Sequence, residues 1–247
     1  MDFNNKKVVI TGGSMGIGLE LAKQLLDKGA RVLVCARNQQ TLEMAKVENP
    51  DIHTFPCDVT QLDQVKILLE ECCEVLGGVD VLINNAAIYR RFNFLDDYPI
   101  EKQIEEVDIN LIGLIHVTNV FLKELLKSDG PVLVNLTSPA AIVPLTTAPA
   151  YSAVKAAVSS YTTSLRFQLR DTKAKVVLLC PPAVDTRMNE DNPGVEAQRL
   201  MSKKKFVSIA IKELSKDKEE ILVSPINMFK QIHRFAPGVA FRMLNKK

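Results

Sequence analysis

The sequence predicts an α/β domain built on a parallel sheet with helices on both faces. Three observations predict it. Short apolar runs alternate with segments of helical period along the chain. The runs are apolar at nearly every position, as strands buried on two faces are. No linker, repeat or low-complexity tract breaks the alternation, so one doubly wound unit accounts for all 247 residues.

Strands are expected at Val8–Thr11, Val32–Cys35, Ile52–Phe55, Val79–Ile83, Val132–Leu136, Val176–Leu179 and Ile221–Val223. Between the first two, Ile17, Leu21, Ala22, Leu25 and Leu26 follow the rhythm of a helix, which Gly29 ends in the left-handed region. Leu62, Val65, Leu69, Cys72 and Leu76 form the next apolar stripe. Thr60 is its expected N-cap, with Asp63 in the capping-box position. Long helical patterns span Glu101–Leu126 and Tyr151–Arg170. The least regular stretch, Pro181–Lys205, ends in Lys203-Lys204-Lys205, which reads as a solvated face.

Bulk properties exclude several classes. A net charge of +2 provides no basic field for nucleic acid. Five irregularly spaced cysteines suit neither a disulfide framework nor a zinc site, and His53, His116 and His233 lie far apart. As reduced thiols the cysteines imply a reducing compartment. The N-terminus lacks the form of a signal peptide, and no apolar run reaches membrane-spanning length. The expectation is a cytoplasmic protein with no metal and no membrane span. The basic, amphipathic stretch Pro225–Lys247 is expected to pack on the sheet edge or a neighbouring subunit rather than on an anionic membrane.

The first strand leads through Thr11-Gly12-Gly13-Ser14-Met15-Gly16-Ile17-Gly18 into a helix. Glycines let the backbone approach a ligand, and a helix N-terminus offers free N–H groups and a positive dipole end to a pyrophosphate. With this spacing the chain resembles the short-chain dehydrogenase/reductase family, whose motif is Thr-Gly-x-x-x-Gly-x-Gly. Asp58, followed by Val59, matches the family's acidic residue at the adenine ring. Asn84-Asn85-Ala86-Ala87 resembles the Asn-Asn-Ala-Gly that ends its fourth strand. Asn110 matches its helix asparagine, and Ser138, Tyr151 and Lys155 match its catalytic serine, tyrosine and lysine. Pro181-Pro182-Ala183-Val184-Asp185-Thr186 stands where the family has Pro-Gly-x-Val-x-Thr.

The resemblance implies a single Rossmann-type NAD(P)-binding domain over residues 1–247, strand order 3-2-1-4-5-6-7, with 187–205 as a substrate lid. It implies cofactor contacts from Gly12, Ser14, Met15, Gly16, Ile17, Gly18, Arg37, Asn38, Asp58 and Val59. Further contacts are implied from Asn85, Ala86, Ala87, Tyr151, Lys155, Pro181, Val184 and Thr186. A homodimer or homotetramer is implied as well. Two departures stand out. Ala87 replaces a glycine, and Pro182 removes a backbone donor and fixes φ beside the nicotinamide. Pro181–Thr186, Leu165–Thr172 and Phe235–Gly238 are similar to a bacterial subgroup of short-chain oxidoreductases, some encoded beside the genes for D-alanylation of teichoic acids.

The chemistry follows from the pairing. Tyr151 and Lys155 are i and i+4 on a helix and share a face. A free tyrosine has a pKa near about 10, and a neighbouring ammonium is expected to lower it. Ser138 would hold the substrate oxygen, and Asn110 resembles the family residue that fixes a helix kink and anchors a water in a proton relay to Lys155. The implied reaction interconverts a carbonyl and a secondary alcohol, with Tyr151 as general acid or base. An NADP(H)-binding sensor without turnover is the alternative. NAD-preferring relatives carry an acid after the second strand, to bind the ribose 2′-hydroxyl. Here Ala36-Arg37-Asn38 stands there, and Arg37, with Ser14 and Asn38 as helpers, suits a 2′-phosphate, so NADP(H) is expected over NAD(H). Ala140, Ile142, Val143, Leu145, Tyr89 and Met188 are the expected substrate wall.

Overall fold

The computed structural model describes residues 2–190, 200–216 and 218–245. The first half runs β1 (Lys7–Thr11), α1 (Gly16–Leu26), β2 (Arg31–Ala36), α2 (Gln39–Glu48), β3 (His53–Pro56), α3 (Leu62–Leu76) and β4 (Val81–Asn84). Next come α4 (Ile100–Val107), a π-helical turn (Asp108–Ile112), α5 (Gly113–Leu125), β5 (Val132–Leu136), α6 (Pro149–Gln168) and β6 (Lys175–Cys180). The chain continues through α7 (Arg187–Glu190), α8 (Lys203–Leu214), β7 (Glu220–Leu222), α9 (Ile226–Phe235) and α10 (Pro237–Leu244).

All seven strands are parallel, in the order β3-β2-β1-β4-β5-β6-β7. Alternate strand residues feed two cores. Val8, Ile10, Val32 and Val34 face one layer with α1 and α8, where Leu25 and Phe206 are fully buried. Val9, Leu33 and Cys35 face the other, with α3, α5 and α6. Burying both faces explains why the strand pattern is continuous rather than alternating.

The strand order reverses between β1 and β4. Their C-terminal ends therefore diverge, and this crevice is where ligands bind in open α/β sheets. The glycine loop after β1, the Asn84–Ala87 turn after β4 and Ser138 after β5 all lie at that end.

Two expectations need correction, and a third falls mostly outside the described residues. Thr60 does not cap α3. Its N–H and its hydroxyl both donate to Asp58 Oδ1, at 2.9 and 2.8 Å, and Gln61 takes the N-cap position without a side-chain bond. The carboxylate two residues back outcompetes the helix end for the threonine. The Glu101–Leu126 helix is not continuous: the π-helical turn at Asp108–Ile112 adds a residue where Asn110 turns inward. The lid expectation for 187–205 falls mostly on residues 191–199, outside the described residues. The segment's base is closed by a pair of bonds, Asp185 N–H to Met201 O and Met201 N–H to Ala183 O, both 2.9 Å.

Candidate active site

The phosphate cradle forms because β1 ends in a turn too tight for side chains. Gly16 has φ +59, a left-handed conformation, and its missing Cβ faces Thr186 Cγ2 3.8 Å away. Gly18 is required for packing: a Cβ there would lie 2.4 Å from Gly12 O. No side chain caps α1, and its first turn has no acid. Its N–H groups and positive dipole end are left for an anion. Met15 supplies the extended N-cap backbone, and Ile17 lines the adjoining cavity.

Asn85 serves the cradle from beneath. Its Nδ2 donates to Thr11 O and Gly12 O, both at 2.9 Å. Thr11 Oγ1 in turn accepts from the N–H groups of Asn85 (3.1 Å) and Ala86 (3.0 Å). The Asn85 side chain is thus a strut between the two loops of the crevice.

After β2 the fold gathers Ser14, Arg37 and Asn38. Asn38 Oδ1 caps α2 by accepting from Thr41 N–H at 3.0 Å, and the Thr41 hydroxyl lies 2.9 Å from Ser14 Oγ. Arg37 pairs with Glu105 across the cleft at 3.5 Å, and Arg90 holds the other Glu105 oxygen at 2.6 Å. Arg37, Asp58, Glu105 and Ile109 line a cavity of about 450 Å³. Val59 is buried at its floor-side neighbour, packed against Gly113. The sequence reading missed Glu105. Its position on an exposed helix gave no sign that it faces an arginine 68 residues away.

A second cavity, of about 510 Å³, holds the catalytic candidates. It reaches from Ile17 and Thr186 at the cradle to Ser138, Tyr151 and Lys155. Ser138 Oγ caps a short 3₁₀ turn at 139–141 by accepting from Ala140 N–H at 3.2 Å. The same side chain hydrogen-bonds Tyr151. Lys155 Nζ donates to Leu136 O at 3.2 Å and lies 5.6 Å from the centre of the Tyr151 ring. Asn110 Oδ1 accepts from Ile88 N–H at 2.7 Å, and its Nδ2 donates to Ile88 O at 2.8 Å. Ala87, Pro181 and Val184 complete the cofactor side of the wall.

The electrostatics reverse one expectation. Within the protein, Tyr151 is not made more acidic. Burial pushes its phenol well above the usual range, and the Ser138 hydrogen bond opposes this only in part. Lys155 is itself buried, which lowers it to about 8, and its ammonium sits over the ring face, bonded to a carbonyl.

The substrate wall is partly as expected. Ala140, Leu145, Tyr89 and Met188 line the cavity, but Val143 is buried in the core at 1 % exposure and Ile142 does not reach it. Arg91, Thr146, Thr147, Leu244 and Asn245 line it instead. Asn245 Nδ2 donates to Pro144 O (2.9 Å) and its Oδ1 accepts from Thr146 N–H (2.7 Å). Of the C-terminal stretch, α9 does meet the sheet edge, through Lys230–Glu220 and Asn227 Nδ2 to Leu222 O. The end of α10 instead walls the catalytic cavity. A hydrophilic Asn at the end of an amphipathic helix carried no signal of this.

Among the described residues no group of three or more His, Cys, Asp or Glu could hold a metal, and no helix is long and apolar enough to cross a membrane. The described cysteines are all free thiols.

The sheet order, the glycine cradle and the Ser-Tyr-Lys cavity define a nucleotide-dependent oxidoreductase fold, and a family model described as short chain dehydrogenase matches residues 6–196. The chain belongs to that family, whose members bind a nicotinamide cofactor. It is 37% identical over 227 residues to "Uncharacterized oxidoreductase DltE" of Bacillus subtilis, covering 90% of this chain and 89% of that one. An uncharacterized oxidoreductase of Staphylococcus epidermidis is 33% identical over 196 residues, with 79% and 85% covered. A short chain dehydrogenase of Burkholderia cenocepacia, solved with NADP, superposes over 100% of both chains with a TM-score of 0.87 at 23% identity, a likeness of fold. A variant of the actinorhodin polyketide ketoreductase, solved with NADPH, is 27% identical, with a TM-score of 0.77 over 84% of this chain and 89% of that one.

Proposed function

We propose that the protein is an NADP(H)-dependent oxidoreductase that interconverts a carbonyl and a secondary alcohol, with Tyr151 as the general acid or base. One observation carries this reading. A single cavity joins the phosphate cradle, at Ile17 and Thr186, to the hydrogen-bonded Ser138 and Tyr151.

The residues present fit a dinucleotide. The uncapped N-terminus of α1 and the left-handed backbone at Gly16 suit the pyrophosphate, and Arg37 with Ser14 suits a 2′-phosphate. Bound there, the reduced nicotinamide supplies the hydride. Ser138 and Tyr151 hold the carbonyl oxygen between them and fix the orientation of its carbon. As negative charge develops on that oxygen, Tyr151 transfers its proton. The raised proton affinity of Tyr151 keeps the phenol protonated at neutral pH, the state that reduction requires. Lys155, a buried ammonium beneath the ring, stabilises the phenolate that remains. Asn110 holds the Ile88 backbone at the mouth of this proton path.

Fluorescence titration with NADPH and NADH tests the cofactor assignment. Wild type should bind NADPH at least tenfold more tightly, and Arg37→Ala should bring the two close together. Turnover of a carbonyl panel should fall by 10²-fold or more in Tyr151→Phe, on the order expected for losing a general acid. An enzyme that binds neither cofactor would remove the basis for the assignment.

A further inference from the structure

Glu106 is the one buried residue of α4, at 1 % exposure. An acid this buried needs a reason, since burial without partners is costly. Its Oε1 accepts from the N–H of Arg90 at 3.1 Å. Four residues on, Asn110 takes both the N–H and the carbonyl of Ile88. Two side chains a helical turn apart therefore grip residues 88 and 90 of the segment leaving β4. Between them Tyr89 sets its ring edge-on to Tyr151, with centroids 4.9 Å apart and planes at 70°. The far side of the segment is tied to Thr147, through a bond from the Tyr89 hydroxyl and another from Phe92 N–H at 2.9 Å.

The charged and titratable groups facing this carboxyl come from several elements. Arg90 lies on the gripped segment and Lys155 on α6. Tyr89, Tyr98 and Tyr151 also feel its charge. We propose that Glu106 is a positioning residue for the reaction inferred above: with Asn110 it clamps residues 88–90 so that Tyr89 backs Tyr151, and its carboxyl adds, with Cys180, to the electrostatic surroundings of Lys155. This rests on the proposed function for its kinetic consequence, but the clamp and the charge are properties of the folded chain alone. Burial raises Glu106 to about 7, so its charge changes where the enzyme works.

Two measurements test it. In protein labelled with carboxyl ¹³C at glutamate, the Glu106 resonance is the one missing from Glu106→Gln. It should titrate near neutrality, and its midpoint should rise in Lys155→Met, where the facing cation is gone. A midpoint unmoved by Lys155→Met, or one at the ordinary glutamate position, overturns the proposal without any reference to turnover. The second is kinetic. Glu106→Gln keeps an acceptor for Arg90 N–H but cannot ionise, so its pH profile should shift to lower pH, because the charge that raises Tyr151 and Lys155 is lost. Glu106→Leu should raise KM severalfold as Tyr89 loosens, and Glu106→Gln should recover most of that loss. A Glu106→Gln profile superimposable on wild type would overturn the charge role. Wild type without any carbonyl turnover would count against the proposed function alone, and the resonance would then decide.

Discussion

At the scale of single residues, Lys155 is a cation buried in the interior. It is 3 % exposed, and its visible partner is a neutral carbonyl. Burial lowers its pKa to about 8, so holding it charged costs stability at neutral pH, a cost that an apolar side chain of similar length does not carry. Lys155→Met should therefore abolish turnover while its melting temperature at neutral pH stays equal to or above that of wild type. Thermal denaturation and a cofactor titration on the same sample check this. Glu105 acts in the opposite sense, since it occupies the arginine assigned to the 2′-phosphate. Glu105→Gln should tighten NADPH binding severalfold and leave NADH nearly unchanged. The pair is about half exposed, so the effect is modest and should shrink with salt. Ser138, Tyr151 and Lys155 stood out in the sequence through their match to a family pattern, and the fold brings the three to one cavity. Glu105 and Glu106 did not stand out. Consecutive acids on a helix look like a solvated face, and only the tertiary fold turns one toward Arg37 and the other into the core.

At the scale of elements, the seven strands and the helices α1, α3 and α6 followed from apolar pattern to within a residue or two, while α2 and α8 did not. The break inside Glu101–Leu126 did not. One extra residue in a turn barely disturbs a 3.6-residue rhythm, so a π-helical turn is nearly silent in sequence, although such turns gather at functional sites. Its effect is local and definite: Asn110 reaches Ile88, and Gly113 meets Val59, where a Cβ would lie 2.5 Å from Cγ2. The C-terminal wall was hidden for a different reason. Its two hydrogen bonds join residues about 100 positions apart, and no local pattern encodes them. Asn245→Ala should leave NADPH affinity unchanged and raise KM for the carbonyl substrate several-fold, as measured by steady-state kinetics at saturating cofactor.

At the scale of the whole molecule, two buried ionisable groups, Glu106 and Lys155, shape stability against pH around neutrality. Glu106 has its folded value raised from 4.5 to about 7. Between those values the folded protein holds more protons than the unfolded chain, so this group's contribution is full below about 4.5 and is lost as pH rises through 7. Lys155 is lowered from 10.5 to about 8, so its contribution is lost as pH falls from 10.5 through 8. Together they place a trough between about 7 and 8. Urea midpoints across pH should show that Glu106→Gln flattens the acid side of the trough and Lys155→Met the alkaline side.

The C-terminal pin has a consequence in time. A chain emerges from the ribosome at roughly 5–20 residues per second, and its early parts fold first. The glycine loop, α1 and the Asn84–Ala87 turn all lie within the first 87 residues. The catalytic cavity borrows Leu244 and Asn245. Under the function proposed above, the residues of the phosphate cradle are therefore synthesised well before the last ones that wall the substrate cavity.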